Sequence, residues 1–465
     1  MSVVFDPERR FDLSVPVLVI GAGACGLVAA LAARDAGAEV LVLERDATPR
    51  GSTALSSGFI PAAYTRFQRE KGIVDSPEQL AADIQRKNHG EADARIVDAV
   101  CCASGLTIEW LADRYGIAFV VVDGFLYPGH SALRMHAVPE KTGTALLTAL
   151  QGACSSAGVD LLTSAQVTML YAERSGRVRG VAFTRPDGSQ DEVGCSALVL
   201  ACSGFGGNPE MVRRHIPEMA DARYFGHVGN QGDAVNWGAA LGAAVNDMTA
   251  YQGHGSVATP HGILITWALM MEGGIQVNVA GKRFSNEHSG YSEQCLPVLA
   301  QPGGVAWSVY DARLHQLGLG FEDYRQADSL GAIRHGDTAA ALAAACDLPG
   351  PALRATLAEV ERYALGEARD LFGRDFTAKP KLVPPYYAVK VTAALFHTQG
   401  GLAVDEWARV VDRTGRAFPN LFAGGGAARG LSGAHVWGYF SGNGLLSAVT
   451  LGRLAGTGAA KLRHC

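Results

Sequence analysis

The sequence predicts an α/β fold interrupted by an inserted α+β domain, and three observations carry that prediction. Residues 15–45 read as strand, glycine-rich turn, helix and strand, the βαβ order of a dinucleotide-binding unit. Two later apolar strands, within 196–208 and 420–456, also run into glycine-rich exits: Gly204, Gly206 and Gly207 in one, Gly424 to Gly426 in the other. Between them, residues 249–380 change character, with Trp, Met and His first and a helical run at 338–364 afterwards, as an inserted cap would. The expected organisation is a discontinuous Rossmann-like domain of the glutathione-reductase type over 1–248 and 381–465, with a capping domain over 249–380.

Each element has a local reason. Val17 to Ile20 is an apolar run of strand length. Gly21 permits the turn that follows, Gly23 lets backbone approach a pyrophosphate, and Gly26 lets the helix pack closely on the strand. The helix begins at about Ala24, where free amides and the positive end of the dipole favour phosphate. Glu44 ends the second strand, placed to accept hydrogen bonds from a ribose, with Arg45 beside it. Residues 51–63, holding Ser52, Thr53, Ser57 and Gly58, form a hydroxyl-rich stretch that either lies against a large planar ligand or is an ordinary loop. Helical spacing covers 76–115 and 142–158. Alternating strands follow at 160–174, which contains Val167, and after 178, with a hairpin at Pro186-Asp187-Gly188.

The second exit, around Ser203 and Gly204, implies a second backbone approach to one extended cofactor. The third adds Gly425, Arg429, Gly444 and Leu445 before an amphipathic helix. One approach would suffice for NAD; three suit FAD, held noncovalently. Bulk composition agrees with a soluble enzyme: 465 residues, 48% hydrophobic, 18% charged, net charge −5. That balance offers no footprint for nucleic acid or an anionic membrane. Nine cysteines without a CxxC pair fit a reducing compartment and no metal site. The first fourteen residues carry charges throughout, and no transmembrane segment is read, so a cytoplasmic location is expected.

Taken in order, VIGAGACGLVAA, LACSGFGGN, GGIQVNVAGKRFSNE, PPYYAVKVTAALFHTQGG and LFAGGGAA resemble the fumarate reductase and succinate dehydrogenase flavoprotein superfamily, which also holds the 3-ketosteroid dehydrogenases. The resemblance covers almost the whole chain. It implies FAD across the first and last segments, a cap over the flavin, and hydride transfer between a substrate carbon and the flavin. GSTALSS holds no histidine, so no covalent flavin link is implied. The two substrate-side histidines of soluble fumarate reductases are matched by His254 and His397. The catalytic arginine, four residues after the SNE acid, is replaced by Tyr291, and the second carboxylate-binding arginine by Tyr439. The proton-relay positions hold Trp267 and Met270. A dicarboxylate would find no bidentate cation here.

Tyrosines at these two places are similar to the ketosteroid dehydrogenase branch. There one tyrosine removes a proton alpha to a ketone, while another, with a backbone N–H four residues later, holds the carbonyl oxygen. By that spacing Tyr291 is the base, and Tyr439 with the Asn443 N–H forms the oxyanion hole. Ser441 is similar to the hydroxyl pattern of the Δ4 members. His397 departs from the Δ1 branch, and Arg429 stands where a shorter polar residue is usual near the flavin ribityl chain. A free tyrosine is a weak base at neutral pH, so a helper among His254, His288 and Tyr127 is expected. Trp267, Met270 and Met271 read as apolar cap lining, which favours an apolar or alicyclic ketone. The expected activity is FAD-dependent α,β-desaturation of a cyclic ketone, with the electron acceptor open. Two alternatives stand: an enone or enoate reductase using the same site, and a noncatalytic flavin-binding electron-transfer protein.

Overall fold

The computed structural model describes residues 2–462; Met1 and residues 463–465, the outer ends of the first expected domain, lie outside the described residues. Five strands form the parallel heart of the first sheet: Asp160–Leu162, Val40–Leu43, Ser14–Ile20, Gln190–Leu200 and Ala417–Ala423, in that spatial order. Val17, Leu18, Val19 and Ile20 are all buried, as strands covered on both faces require. Hairpin strands Gln166–Ala172 and Val178–Thr184, with edge strands Ser2–Phe5 and Arg409–Val411, extend the sheet to nine strands among the described residues.

Helix Ala24–Asp35 covers this sheet and lies against the last helix, Asn443–Lys461. Their approach is close because Gly452 and Gly456 carry no Cβ: one there would sit 2.5 Å from the Cys25 carbonyl and 2.0 Å from that of Ala29. The predicted helical stretch 76–115 is two helices, Pro77–Lys87 and Ala94–Tyr115. Asp93 explains the break, since its side chain accepts the Arg95 N–H and so caps a new helix. The run at 338–364 is divided likewise, into Ala339–Ala345 and Gly350–Ala364.

A second, mostly antiparallel sheet of seven strands is built around the 13-residue strand Tyr386–Thr398. Tyr251–Ala258, Val305–Asp311, Ile333–Gly336 and Arg223–Tyr224 all pair with it. By pairing, then, a strand from the 381–465 segment lies in the sheet formed mainly by residues 249–380. Its last residue returns to the first sheet's exits, where Thr398 Oγ1 accepts the Phe205 N–H at 3.2 Å. Each sheet has its own buried apolar cluster. Among the described residues all eight cysteines are free, no cluster could hold a metal ion, and no helix is long and apolar enough to cross a membrane.

Candidate active site

Strands Ser14–Ile20, Gln190–Leu200 and Ala417–Ala423 are adjacent and parallel, so their glycine-rich exits open at the same edge of the sheet. That edge borders a cleft, open to solvent at its mouth, which continues between the two sheets. Ligands of open α/β sheets bind at such carboxyl ends. Gly21, Gly23 and Ala24 line it, with Gly21 at φ +104°. A Cβ on Gly23 would meet only Thr53 Oγ1, at 3.5 Å, so the backbone face there is open to a ligand. Gly26 lies behind the lining, packed on the Gly21 carbonyl as close helix–strand contact requires. Glu44 and Arg45 also line the cleft. The Glu44 carboxylate is anchored by the Ala22 and Asp46 amides, at 2.7 and 3.0 Å, and Arg45 reaches the Gly229 carbonyl at 3.0 Å.

The hydroxyl-rich stretch is ordered. Thr53 Oγ1 accepts the Ala24 N–H at 3.0 Å, satisfying one of the orphan amides at the helix start. Ser52 accepts from Asn230, and Ser57 faces the cleft with Val167, Ser203, Gly425, Gly444 and Leu445. Ser203 holds φ at +66°, a backbone shape rare for serine. The open glycine faces and the first turn of Asn443–Lys461 make a cradle that an extended dinucleotide fits. Three expected contacts lie elsewhere. Gly58 abuts the Thr142 carbonyl, and Gly204 abuts Thr398 Oγ1. Arg429 turns away to Asp247, at 2.5 Å, and Asp93; it is Ala428 that lines the cleft.

The far half of the cleft gathers the aromatic and histidine candidates. Glu287 is fully buried, clamped by Arg283 and Arg374 at 2.7 and 3.0 Å and by the Gln276 N–H at 3.0 Å. Gly290, at φ +133°, then turns the chain, and the Tyr291 carbonyl accepts the Gly255 N–H. The Tyr291 ring lands on His254, stacked at 4.7 Å, and meets Tyr439 edge-on at 5.9 Å. Burial pushes the Tyr291 hydroxyl up to about 12, while Ser441, Tyr439 and the Gly442 amide pull partly the other way. Burial and the neighbouring Tyr291 hold Tyr439 well above its ordinary range, with the Gly444 and Gly442 amides against its hydroxyl.

The Asn443 N–H is not free for the oxyanion role that its spacing predicts. It is occupied by the Phe440 carbonyl at 2.9 Å, because Gly442 enters the left-handed region and closes a tight turn. The amides beside the Tyr439 hydroxyl are those of its two glycine neighbours, Gly442 and Gly444. Ser441 lines the cleft next to both tyrosines, and its carbonyl is held by His130 Nε2 at 2.9 Å.

The expected helpers do not drain Tyr291. His254 Nδ1 accepts the Ser256 N–H at 3.1 Å, and burial takes this imidazole down to about 3, so it is neutral. His288 bonds the Met270 carbonyl at 3.2 Å, outside the cleft lining. Tyr127 lines the cleft, but burial raises its own hydroxyl. His397 lines the cleft too, brought down to about 4 by burial. Trp267 lines it as expected, whereas Met270 is buried behind it in the second core. Phe396, Phe225, Gln252 and Asp233 also line it, and sequence reasoning missed them. Phe396 and Gln252 flank the predicted histidines, a signal that was available. Asp233 was not legible; burial raises it to about 6.

Comparison with known proteins supports one family. Fumarate reductase (cytochrome) of Shewanella frigidimarina is 28% identical over 450 residues, covering 96% of this chain and 77% of the relative. The 4-oxocyclohex-2-ene-1-carboxylate 5-dehydrogenase of Sinomonas cyclohexanicum is 26% identical over 568 residues, covering 98% and 95%. The crystal structure of 3-ketosteroid-delta4-(5alpha)-dehydrogenase from Rhodococcus jostii RHA1 superposes with a TM-score of 0.77 at 26% identity, covering 98% of each chain. The FAD binding domain model matches residues 16–445, and with it the chain belongs to the FAD-binding flavoproteins of the fumarate reductase/succinate dehydrogenase superfamily, as an FAD-dependent oxidoreductase acting on CH–CH bonds.

Proposed function

We propose that the protein desaturates a cyclic ketone at the bond next to its carbonyl. The observation that carries this reading is the gathering of Tyr291, Tyr439, Gly442 and Gly444 along one stretch of the cleft, the two tyrosine rings 5.9 Å apart, in a pocket whose two histidines are neutral. Such a set offers hydrogen bonds to one carbonyl oxygen and no cation for a carboxylate pair. Two relatives are named for ring ketones: one for 4-oxocyclohex-2-ene-1-carboxylate, the other a 3-ketosteroid dehydrogenase seen with 4-androstene-3,17-dione. The apolar walls, Trp267, Phe396, Phe225 and Phe59, suit an alicyclic ring.

The cofactor's ADP half would lie on Gly21, Gly23 and Ala24 with Glu44 on its ribose, and the remainder on Ser52, Thr53, Ser57, Ser203, Gly425 and Leu445. When bound, FAD supplies the two-electron acceptor for the hydride that leaves the β carbon. Tyr439 O–H and Gly444 N–H hold the carbonyl oxygen and stabilise the charge that grows on it as the α proton leaves. Tyr291, ionised to its tyrosinate, receives that proton, so one proton and one hydride depart and a C=C bond remains. Residues 1–248 and 381–465 would form the cofactor domain and 249–380 the cap, with strand Tyr386–Thr398 shared between them.

A second reading, enone reduction at the same groups, is favoured by one observation: Tyr291 holds its proton tightly and so rests as a donor. Anaerobic mixing tests both. Bleaching of the oxidised flavin band by a saturated ring ketone supports desaturation. Reoxidation of the chemically reduced enzyme by an enone, with no bleaching by any ketone, supports reduction, and inertness in both directions refutes both.

A further inference from the structure

A buried chain of polar groups runs behind Tyr439 and has no part in the reaction drawn above. Asn443 Nδ2–H donates to Ser432 Oγ at 3.2 Å, the Ser432 hydroxyl donates to Gln399 Oε1 at 2.9 Å, and Gln399 Nε2 meets His397 Nδ1 at 3.0 Å. Asn443, Ser432 and Gln399 are 0, 1 and 5% exposed, so bulk water does not compete for these bonds. Ser432 has one proton, and with that proton on Gln399 Oε1 the amide turns its N–H toward the imidazole, where Nδ1 accepts. A neutral imidazole accepting at Nδ1 carries its proton on Nε2. The competing partner of Nδ1 is the Thr398 carbonyl, at 3.4 Å. Bonding to it would need the opposite tautomer and would set two N–H groups against each other.

The Nε2 end faces the site. A Cβ on Gly444 would lie 2.9 Å from His397 Nε2, and the His397 and Tyr439 rings meet edge-on at 5.7 Å. With the Gly444 amide also against the Tyr439 hydroxyl, all three residues border the same part of the cleft. Building on the ring-ketone reading, we propose that Gln399 is a positioning residue which, backed by Ser432 and Asn443, locks His397 as an Nε2–H donor to the bound carbonyl oxygen. The same arrangement accounts for glycine at 444, since any side chain there would occupy the donor's place.

Gln399→Glu tests the lock because a carboxylate only accepts. It would draw a proton onto Nδ1 and raise the affinity of His397 for a second one. Below that raised pKa the imidazolium keeps its Nε2–H; above it the single proton sits on Nδ1, and Nε2 turns a lone pair to the carbonyl. Tyr439, the titratable group in ring contact with His397, and Gln252, opposite it on the neighbouring strand, keep constant charge through this range. Loss of one such donor slows related reactions by about a hundredfold or more. The ratio of variant to wild-type flavin-reduction rates with a cyclohexanone-type ketone should therefore fall with rising pH, by about a hundredfold overall. A ratio constant from pH 6 to 9 overturns the proposal. Independently, 15N-histidine NMR of the wild-type FAD-bound enzyme, with His397 identified by its loss in His397→Gln, should show Nε2 protonated and Nδ1 bare; the reverse overturns the lock even if the variant fails to fold. If no ketone bleaches the flavin, the ring-ketone reading fails, and the NMR result still decides what Gln399 does.

Discussion

If Tyr291 takes the α proton, its burial sets a steep pH dependence. With the hydroxyl pushed up to about 12, about one molecule in 10^5 is ionised at pH 7, an uphill step of about 7 kcal/mol. The sign is fixed: tyrosinate is the reactive form, its fraction rises tenfold per pH unit below about 12, and desaturation should accelerate tenfold per unit from pH 6 to 10. Enone reduction needs the protonated form, which stays full over that range, so the reverse rate should be flat. Stopped-flow reduction of the flavin by saturating ring ketone, with an α-deuterated ketone to confirm that proton removal is observed, reads the slope. Tyr291→Phe should abolish the slope and slow the reaction by roughly 10^2 to 10^4 at pH 8. A flat desaturation profile with a primary isotope effect, or a slope that survives in Tyr291→Phe, would refute the assignment.

Tyr439→Phe removes the hydroxyl of a residue that is 4% exposed and should slow flavin reduction by about 10^2 to 10^3 with FAD affinity unchanged; a loss under fivefold in the same stopped-flow assay removes it from the oxyanion hole. Arg134→Met leaves Asp75 buried without a cation and takes from Asp83 its buried one, since the fully buried guanidinium holds Asp75 at 2.7 Å and Asp83 at 2.5 Å while Asp83 keeps only the exposed Arg86. The expected loss is about 3 to 5 kcal/mol, read from urea unfolding followed by protein and flavin fluorescence. Burial depresses His130 to about 3, His136 to about 4 and His254 to about 3, so all three are neutral when folded and take up protons on unfolding below their ordinary value of 6.5. Stability should hold above about pH 6.5 and fall progressively toward pH 4, and a melting temperature unchanged between pH 7 and 4.5 would contradict this.

The parts legible in the sequence were those with a steric signature. Gly21, Gly23 and Gly26 announce themselves because few other residues fit a positive φ, an open backbone face and a contact on the Gly21 carbonyl in that order. That three glycine-rich exits share one edge was not legible, because it depends on Gln190–Leu200 lying between two strands far from it in sequence. Spacing anticipated that Tyr291 and Tyr439 would face one cleft but pointed to the Asn443 amide, since counting residues cannot see the Phe440 carbonyl folding back on it. Arg429 was misplaced for a related reason: its partners, Asp247 and Asp93, arrive from distant parts of the chain.

Exchanging two arginines for tyrosines alters the electrostatics of this pocket beyond the loss of two contacts. The resemblance to soluble fumarate reductases places cations where this chain has Tyr291 and Tyr439, and burial keeps His254 and His397 from supplying replacements. A dicarboxylate entering such a pocket would lose its hydration without gaining a counter-charge, a cost of several kcal/mol per ion. A neutral ketone pays no such penalty, yet the oxygen becomes strongly basic as the α proton leaves, and the donors at Tyr439 and Gly444 strengthen at that moment. Groups that interact weakly with the ground state and strongly with the developing enolate lower the barrier instead of merely tightening binding. On the ring-ketone proposal, the tyrosines would shift the selectivity of an otherwise shared scaffold from charge in the substrate to charge in the transition state.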